Sequence, residues 1–372
     1  MREIKINDNE AGKRLDKFLS QYFTGTTMGF LFKMLRKKNI VLNKKKASGK
    51  ELLQKGDVIS VFFSDETFDK FANKFANASD ASSDAGPKDL SGVLKEYENA
   101  YKRFGELEII YEDENILLIN KPAGILSQKA EPKDLSLNEW LIGYLLAKGS
   151  IRKDSLVTFR PSVCNRLDRN TSGIVICSKS LQGARGMAQG LKDRSIHKYY
   201  STIVSGKITE NAHISGYLIK DEKNNKVRLI DEKDEKNLKN ADKIETSYEV
   251  LRHLKLQPQG TDGKNVNTDL ENMIFSELSV CLITGKPHQI RAHLSSTGHP
   301  IIGDSKYGNS NINKFFRDNA GLKYQLLHAG RLEFPEFSGE LSNLSGKIFE
   351  AGLSPEYIKI KEITCQPGTQ EA

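Results

Sequence analysis

The stretch Asn165–Gly173 reads N-R-L-D-R-N-T-S-G and precedes an apolar run, Ile174–Cys177. A carboxylate between two guanidinium groups is favoured in its charged form. The hydroxyl side chains that follow can hydrogen-bond nearby backbone groups, and the glycine permits a tight turn. An anionic Asp168, on a rigid turn at the start of a strand, is therefore a predicted nucleophile. The alternative is a structural ion pair with Arg166 or Arg169, and this stretch alone does not decide between the two.

The chain has 372 residues, enough for two domains, and a formal net charge of +8. Residues 1–65 contain fourteen lysines and arginines and many fewer acidic residues, so this segment carries most of the positive excess. Such asymmetry indicates a nucleic-acid-binding module attached to a larger body. A lysine-rich face that is merely solvated is the alternative interpretation.

Cysteine usage and hydropathy indicate the class of protein. The four cysteines form no C-x-x-C pair and lie mostly among apolar residues: Cys164, Cys177, Cys281 and Cys365. They predict reduced core residues of a cytosolic protein. The N-terminus lacks the apolar core of a signal peptide, and no stretch approaches the roughly 20 apolar residues of a membrane helix. We therefore expect a soluble, cytoplasmic protein.

The N-terminal segment is predicted to form a small α+β module over residues 1–65. Residues 1–10 form a predicted edge strand, and helices are predicted over Ala11–Leu19 and from Met28 to Lys38. Strands are predicted over Asn39–Asn43 and Val58–Phe63. Each helix has an apolar face opposite a basic one. The predicted RNA-binding residues of this module are Lys13, Arg14, Lys17, Arg36, Lys37 and Lys44.

Residues 66–106 are predicted to be a flexible linker, because an F-x-N/K pattern decays into Ala, Ser, Asp and Gly from Phe68 to Pro87. Flexibility would let the basic module search for RNA partly on its own and raise the effective concentration of the second domain. That second domain is predicted over residues 107–372. Its predicted elements are a hairpin (Glu108–Tyr111 and Ile116–Asn120), two helices (Leu137–Leu146 and Leu181–Leu191) and paired strands (Thr246–Leu251 and Ser276–Leu282) separated by a polar insertion, Gln257–Glu271.

The densest polar cluster is Thr284–Leu294, T-G-K-P-H-Q-I-R-A-H-L. His288 and His293 are five residues apart, and no cysteine or carboxylate in the segment completes a set of metal ligands. Structural histidines are therefore a better interpretation than a metal site. The chain also has no P-loop and no Gly-x-Gly-x-x-Gly segment, so nucleotide hydrolysis and dinucleotide redox chemistry lack support.

Four ordered motifs resemble the pseudouridine synthases that modify ribosomal RNA, in the family of the large-subunit and dual-specificity enzymes. The motifs are Lys121–Gly124, Asn165–Gly173, Lys198–Gly206 and Thr284–Leu294, and the later segments Gly298–Asp304, Tyr307–Gly308 and Leu327–Ala329 also match. Asn165 replaces the family's histidine, and Lys286 replaces its arginine.

The resemblance implies an α+β pseudouridine synthase fold, with a mixed, mainly antiparallel central sheet flanked by helices. The N-terminal elements resemble the alpha-L RNA-binding motif that is shared with a small-subunit ribosomal protein.

The resemblance also implies a function: isomerisation of specific uridines in RNA, foremost large-subunit (23S) ribosomal RNA, to pseudouridine. Asp168 is then the catalytic residue, Arg291 pairs with it, and Tyr200 stacks against the base. Arg166 and Arg169 are candidates for RNA contact. This chemistry requires no cofactor and no metal, and a monomer that acts on RNA away from membranes is expected. The alternatives are a transfer RNA substrate, or a non-catalytic RNA-binding or ribosome-assembly factor on the same fold.

Overall fold

The computed structural model describes residues 1–7, 9–73, 88–221, 226–230, 238–257 and 272–365. Its N-terminal part contains four strands, β1 to β4, and two helices that pack on them, α1 (Leu15–Tyr22) and α2 (Met28–Arg36). The strands are Arg2–Lys5, Ile40–Leu42, Lys45–Lys46 and Val58–Val61, and they form one antiparallel sheet in the order β1-β4-β2-β3. The predicted α+β module is therefore present, with β1 at an edge.

Helix α1 begins four residues later than predicted, because the chain turns before it. Gly12 has φ +77, and its N–H donates to the carbonyl of Leu53. Helix α2 begins where it was predicted, after Thr27, whose side chain caps the N–H of Phe30. Both helices bury apolar residues against the sheet, in a core that includes Leu15, Phe18 and Leu35.

The linker interpretation is wrong for both ends of residues 66–106, while residues 74–87 lie outside the described part of the chain. Helix α3 covers Asp65–Phe71 and helix α4 covers Lys88–Phe104. Helix α4 packs against α5 (Leu137–Ala147), where a Cβ on Gly143 would lie 2.3 Å from the carbonyl oxygen of Tyr97. The physical reason is an apolar stripe of helical spacing on α4, formed by Leu94, Tyr97, Ala100 and Phe104, within a sequence rich in charged residues.

The second part of the chain is built on one sheet of twelve strands. Its main path runs β11-β10-β12-β13-β9-β14-β8-β6-β5, with β7, β15 and β16 attached to β8, β14 and β12. The strands in chain order are β5 (Glu108–Glu112), β6 (Ile116–Lys121), β7 (Ser162–Val163), β8 (Ser172–Ser178), β9 (His197–Ser205), β10 (Ala212–Asp221), β11 (Lys226–Ile230), β12 (Asp242–Leu256), β13 (Ile274–Leu282), β14 (Leu327–Glu333), β15 (Ile348–Glu350) and β16 (Thr364–Cys365).

Only the β8–β14 pair is parallel among the described strand pairs, so the predicted mixed, mainly antiparallel sheet is confirmed. The predicted pairing of the strands around Thr246 and Ser276 is also correct, since Thr246 lies opposite Leu282 in the β12–β13 ladder. Residues 258–271 of the predicted insertion between them lie outside the described residues. The remaining helices are α6 (Leu181–Lys192), α7 (Gln289–Ser296), α8 (Ser310–Ala320) and α9 (Pro355–Glu362).

The N-terminal module is docked on the second domain rather than free of it. The Lys13 ammonium donates to the Thr158 carbonyl at 2.8 Å, and the Thr158 hydroxyl contacts the Glu10 carboxylate. The Asn9 side chain accepts from the N–H of Leu181, the first residue of α6. Apolar contacts join Tyr22 to the cluster around Leu156. The expectation that the module searches for RNA on its own is therefore not supported.

Candidate active site

The turn that carries Asp168 is fixed at both ends. Before it, the Asn165 side chain accepts from the N–H of Ile176 at 2.7 Å and so ties the start of the turn to β8. After it, Gly173 has φ +112, and a Cβ there would lie 2.3 Å from the carbonyl oxygen of Ala329 on β14. Only glycine fits such a close approach of two strands at positive φ. The turn is therefore clamped onto the centre of the sheet.

Arg291, in α7, holds one side of the Asp168 carboxylate. Its Nη1 lies 2.9 Å from Asp168 Oδ2, while Nε and Nη2 grip Asp304 by two parallel bonds of 2.7 and 2.9 Å. Against the opposing effect of burial, these two carboxylates raise the pKa of Arg291. The side chain of Asp168 is 26% exposed, whereas those of Arg291 and Asp304 are 5% and 0% exposed. Asp168 Oδ1 accepts no hydrogen bond from the described residues, so it remains available to a substrate.

His288 and Tyr307 lie beside this pair. His288 Nε2 is 3.8 Å from Asp168 Oδ2, and its Nδ1 is 3.0 Å from the Tyr307 hydroxyl. Burial lowers the pKa of His288, with the Arg291 charge acting in the same direction and the Asp168 charge against it. The Tyr307 ring also faces the Arg291 guanidinium, whose carbon is 5.2 Å from the ring centroid. Tyr307 thus contacts both groups that approach the Asp168 carboxylate.

Lys121 is a buried residue that contacts the turn that carries Asp168. Its side chain is fully buried, and its ammonium donates to the carbonyls of Pro122, Ile125 and Arg169, the last being the residue after Asp168. Burial lowers the pKa of Lys121 to about 7, although attraction to Asp168 opposes this shift. The amine thus ties the Lys121–Gly124 segment to the turn that carries Asp168.

Tyr200 lies in the core on β9, opposite Val280 on β13 and Ala329 on β14. Burial raises the pKa of Tyr200, and the negative charge of Asp168 raises it further. Tyr199 points to the other face of the sheet, where its hydroxyl is 3.2 Å from Glu333. The structure therefore places Tyr200, and not Tyr199, in the electrostatic environment of Asp168.

The predicted RNA-binding residues fall into different environments. Arg166 and Arg169 are exposed, and neither pairs with Asp168, so the structural ion-pair alternative is wrong. Lys13 is half-buried between the two parts of the chain, where its ammonium donates to the Thr158 carbonyl, and its contact with RNA stays a prediction. Arg14 is exposed but pairs with Asp16 at 2.7 Å. The side chains of Lys17, Arg36, Lys37 and Lys44 are exposed.

The remaining histidines of the polar cluster have structural partners. His293 Nδ1 is 2.9 Å from the Thr246 hydroxyl, and burial lowers the pKa of His293 to about 4. His299 Nδ1 is 3.0 Å from the carbonyl of Ser205. Within the described residues, no group of three or more His, Cys, Asp or Glu side chains could hold a metal ion. No described helix has the length and apolar character needed to cross a bilayer.

Comparison with known proteins shows which family the segments of this site resemble. Residues 115–296, which contain the Asp168 turn, Tyr200 and Arg291, match the family model for RNA pseudouridylate synthases. The chain therefore contains an RNA pseudouridylate synthase domain. It is therefore an enzyme that isomerises uridine in RNA to pseudouridine.

Relatives of the synthase match over nearly their whole length. The chain is 29% identical to the ribosomal large subunit pseudouridine synthase C of Rickettsia bellii, over 93% of this chain and 97% of that protein. It is 26% identical to the protein of the same name from Vibrio vulnificus, over 89% and 87%. The solved structure of human RNA pseudouridylate synthase domain containing 4 shares the fold, with a TM-score of 0.51 and 21% identity over 75% of this chain and 99% of that one.

Four residues of the site had no role assigned to them from the sequence: Lys121, His288, Asp304 and Tyr307. All four lie in segments that match the family's motifs, so the signal was present in the sequence. Their chemistry, however, depends on which side chains meet in space. In the sequence Asp304 cannot be told apart from other acidic residues, and only its two hydrogen bonds with Arg291 distinguish it.

Proposed function

We propose that the synthase converts uridines of large-subunit ribosomal RNA to pseudouridine and that Asp168 is its catalytic residue. The observation that carries this proposal is the Asp168 carboxylate itself. Arg291 holds its Oδ2 at 2.9 Å, its Oδ1 is free of protein partners in the described chain, and its turn is fixed to the sheet. The substrate class is supported by the names of the relatives, which are ribosomal large subunit enzymes.

The isomerisation breaks the N1–C1′ bond of uridine, rotates the base and forms a C5–C1′ bond, and the proton lost from C5 is balanced by protonation of N1. Asp168 can serve by attacking C1′, by attacking C6 of the base, or by removing a sugar proton. In each case Arg291 orients the carboxylate through a fixed, always charged fork. The target nucleotide must leave its stack, which costs a few kcal/mol and least in single-stranded loops.

We infer that Tyr200 contacts the base. Its raised pKa keeps the phenol protonated in the free enzyme, so ring contact is its first role. If Asp168 forms a covalent bond, its negative charge is lost, and one cause of the raised Tyr200 pKa disappears with it. Proton transfer at C5 is then easier after the covalent step than before it.

The two departures from the family motif leave the site intact. Asn165 holds the catalytic turn to β8, and exposed Lys286 pairs with Asp242 at 2.6 Å, away from the Asp168 carboxylate. These contacts weaken the case for a non-catalytic assembly factor, for which the departures were the main support.

The test is chemical mapping of pseudouridine in ribosomal and transfer RNA from cells that lack the gene. The cells are complemented with the wild type, with Asp168→Asn, or with Asp318→Asn, which alters an exposed carboxylate of α8. Large-subunit sites that return with wild type and Asp318→Asn, but not with Asp168→Asn, would support the proposal. Restoration by Asp168→Asn would refute the catalytic role, and sites confined to transfer RNA would refute the substrate.

We also propose that the synthase acts as a monomer in the cytoplasm and that residues 1–65 bind RNA. The exposed lysines and arginines of α2 and of the β2–β3 turn support this binding role. Sedimentation of the purified protein at micromolar concentration, with and without RNA, tests the monomer.

A further inference from the structure

Tyr307 lies behind the two groups that approach the catalytic carboxylate. Its ring packs edge-on to the His288 imidazole, with centroids 5.7 Å apart, and faces the Arg291 guanidinium. Its hydroxyl is 3.0 Å from His288 Nδ1. Both His288 and Arg291 approach the same oxygen, Asp168 Oδ2. A displacement of Tyr307 would therefore disturb Asp168 through both His288 and Arg291.

The hydrogen bonds around Tyr307 fix the protonation of His288. The N–H of Val227 donates to the Tyr307 hydroxyl at 2.8 Å, which leaves the phenolic proton free to be donated elsewhere. His288 Nδ1 is a nearer acceptor than the Val227 carbonyl, at 3.0 against 3.4 Å. With Nδ1 as the acceptor, the single ring proton of neutral His288 lies on Nε2, the atom nearer to Asp168.

His288 also has an unusual backbone. It lies at the N-terminus of α7 with φ 54 and ψ 14, the left-handed region that a non-glycine residue rarely adopts. Such conformations persist where the surroundings hold them, and they cluster at functional sites. Among the described residues, Tyr307 is the hydrogen-bond partner of the His288 side chain, so this contact fixes the ring.

The β10–β11 hairpin holds Tyr307 in place. Strand β11 is at the edge of the twelve-stranded sheet, and the Val227 N–H points away from β10 toward Tyr307. The Lys226 ammonium donates to the Lys306 carbonyl at 2.9 Å. The Val227 side chain is buried with Ala292 of α7. The hairpin therefore contacts both the segment before Tyr307 and the helix that carries Arg291.

We propose that the β10–β11 hairpin is a positioning element for the catalytic carboxylate, acting through Tyr307 and His288. The hairpin fixes the Tyr307 hydroxyl, the hydroxyl fixes the His288 ring, and His288 Nε2 then lies 3.8 Å from Asp168 Oδ2, beside the Arg291 bond to the same oxygen. Oδ1 is then directed at the substrate. This role rests on the proposed function of Asp168. It makes Tyr307, His288 and Val227 positioning residues, with no required contact to RNA.

The first test removes the hydroxyl and keeps the ring. Tyr307→Phe should lower kcat about three- to tenfold, the size of one lost neutral hydrogen bond, and leave KM for RNA within twofold. Tyr248→Phe is the matched control, because it removes the hydroxyl of a mostly buried tyrosine on β12, and that hydroxyl makes no hydrogen bond within the described residues. An unchanged kcat in correctly folded Tyr307→Phe, or an equal loss in Tyr248→Phe, would overturn the proposal.

The second test removes a single backbone donor. Val227→Pro deletes the N–H that holds Tyr307, and proline is tolerated on an edge strand. Because antiparallel pairs alternate, the N–H of Leu229 also points away from β10 and lacks a ladder partner. Leu229→Pro is therefore the matched control and should keep wild-type kcat. Equal activity of the two proline variants would contradict the role of the hairpin.

Histidine side-chain NMR supplies a readout that a general loss of structure would not mimic. Comparison with His288→Asn assigns the His288 ring among the seven histidines. In the wild type we expect the Nε2-protonated tautomer, and in Tyr307→Phe a titration moved to higher pH, since the neutral ring loses its donor. The charged groups that face this ring are Asp168, Arg291, Asp304 and Lys306.

The opposite tautomer, or a titration that Tyr307→Phe leaves unchanged, would overturn the proposal even if kcat falls. The NMR experiment does not depend on catalysis. If the wild type forms no pseudouridine, the proposed function fails, while the spectra still decide whether Tyr307 controls His288.

Discussion

Of the two carboxylates around Arg291, removal of one should affect mainly catalysis, and removal of the other should affect mainly stability. Asp168→Asn is expected to abolish catalysis and leave the fold nearly as stable as the wild type. Asp304→Asn is expected to destabilise the fold strongly. The two substitutions are chemically identical and touch the same guanidinium, so the difference between them isolates the environment of each carboxylate.

The magnitudes follow from burial and geometry. The Asp168 contact is a single bond of 2.9 Å to a carboxylate that is 26% exposed, and a pair with that much solvent contributes about 1 kcal/mol or less. An asparagine oxygen can still accept from Arg291. Asp304 is fully buried, makes two bonds to Arg291 and accepts from the N–H groups of Lys306 and Tyr307. Breaking a buried pair of this kind costs about 3–5 kcal/mol, since the remaining charge loses its partner.

Thermal unfolding followed by circular dichroism measures the difference. We expect the midpoint to fall by roughly 6–10 °C for Asp304→Asn and by about 2 °C or less for Asp168→Asn, at about 2 °C per kcal/mol for a chain of this size. Pseudouridine formation in the same preparations should be absent for Asp168→Asn and reduced for Asp304→Asn, whose Arg291 is no longer held. Equal midpoints would refute the reasoning, because they would mean that Asp168 and Asp304 share the stabilisation of Arg291 evenly.

Three further predictions concern other parts of the chain. Burial lowers the pKa of Lys121 from 10.5 to about 7 in the folded protein, so between pH 7 and 10.5 the unfolded chain binds one proton more, and the stability that this group contributes rises with pH. Lys121→Met should therefore flatten the rise of the urea midpoint with pH. An unchanged slope would contradict the lowered pKa. Glu277→Gln should cost about 3 kcal/mol, because this buried carboxylate is shared by two basic side chains, whereas exposed Glu350→Gln should change the urea midpoint very little. Lys44→Ala should reduce the salt slope of RNA binding by about 1, while Lys13→Ala, at the contact between the two parts of the chain, should leave that slope unchanged; filter binding at several salt concentrations distinguishes them.

The sequence was most informative where a motif and a local pattern agreed. The Asn165–Gly173 stretch indicated a carboxylate on a tight turn, and the structure shows that turn clamped by Asn165 and Gly173. The four ordered motifs named Asp168, Tyr200 and Arg291, which the fold brings into one electrostatic environment. Alternation and charge patterning also located several of the strands and both N-terminal helices, because these signals depend on neighbouring residues alone.

Long-range contacts account for what the sequence did not indicate. Lys13 resembles any lysine on a solvated face, and nothing near it in sequence shows that its ammonium donates a hydrogen bond to the Thr158 carbonyl. Helix α4 looked like a continuation of the linker, because its stripe of apolar residues has meaning only once α5 is there to cover it. Residues Val227–Ile230 are mainly apolar in a polar stretch of the sequence, but Tyr307, the partner of Val227, is eighty positions away.

The clamped turn at Gly173 has a consequence for how the enzyme meets its substrate. With the turn that carries Asp168 fastened at Gly173 between β8 and β14, the proposed reactive group has little room to move, and adaptation falls to the RNA. The choice among uridines then depends on which nucleotides swing out of their stacks most readily. Such an enzyme would act most readily on RNA that has not finished folding. Timing relative to the maturation of the RNA, as much as recognition of its sequence, would then decide which positions are modified.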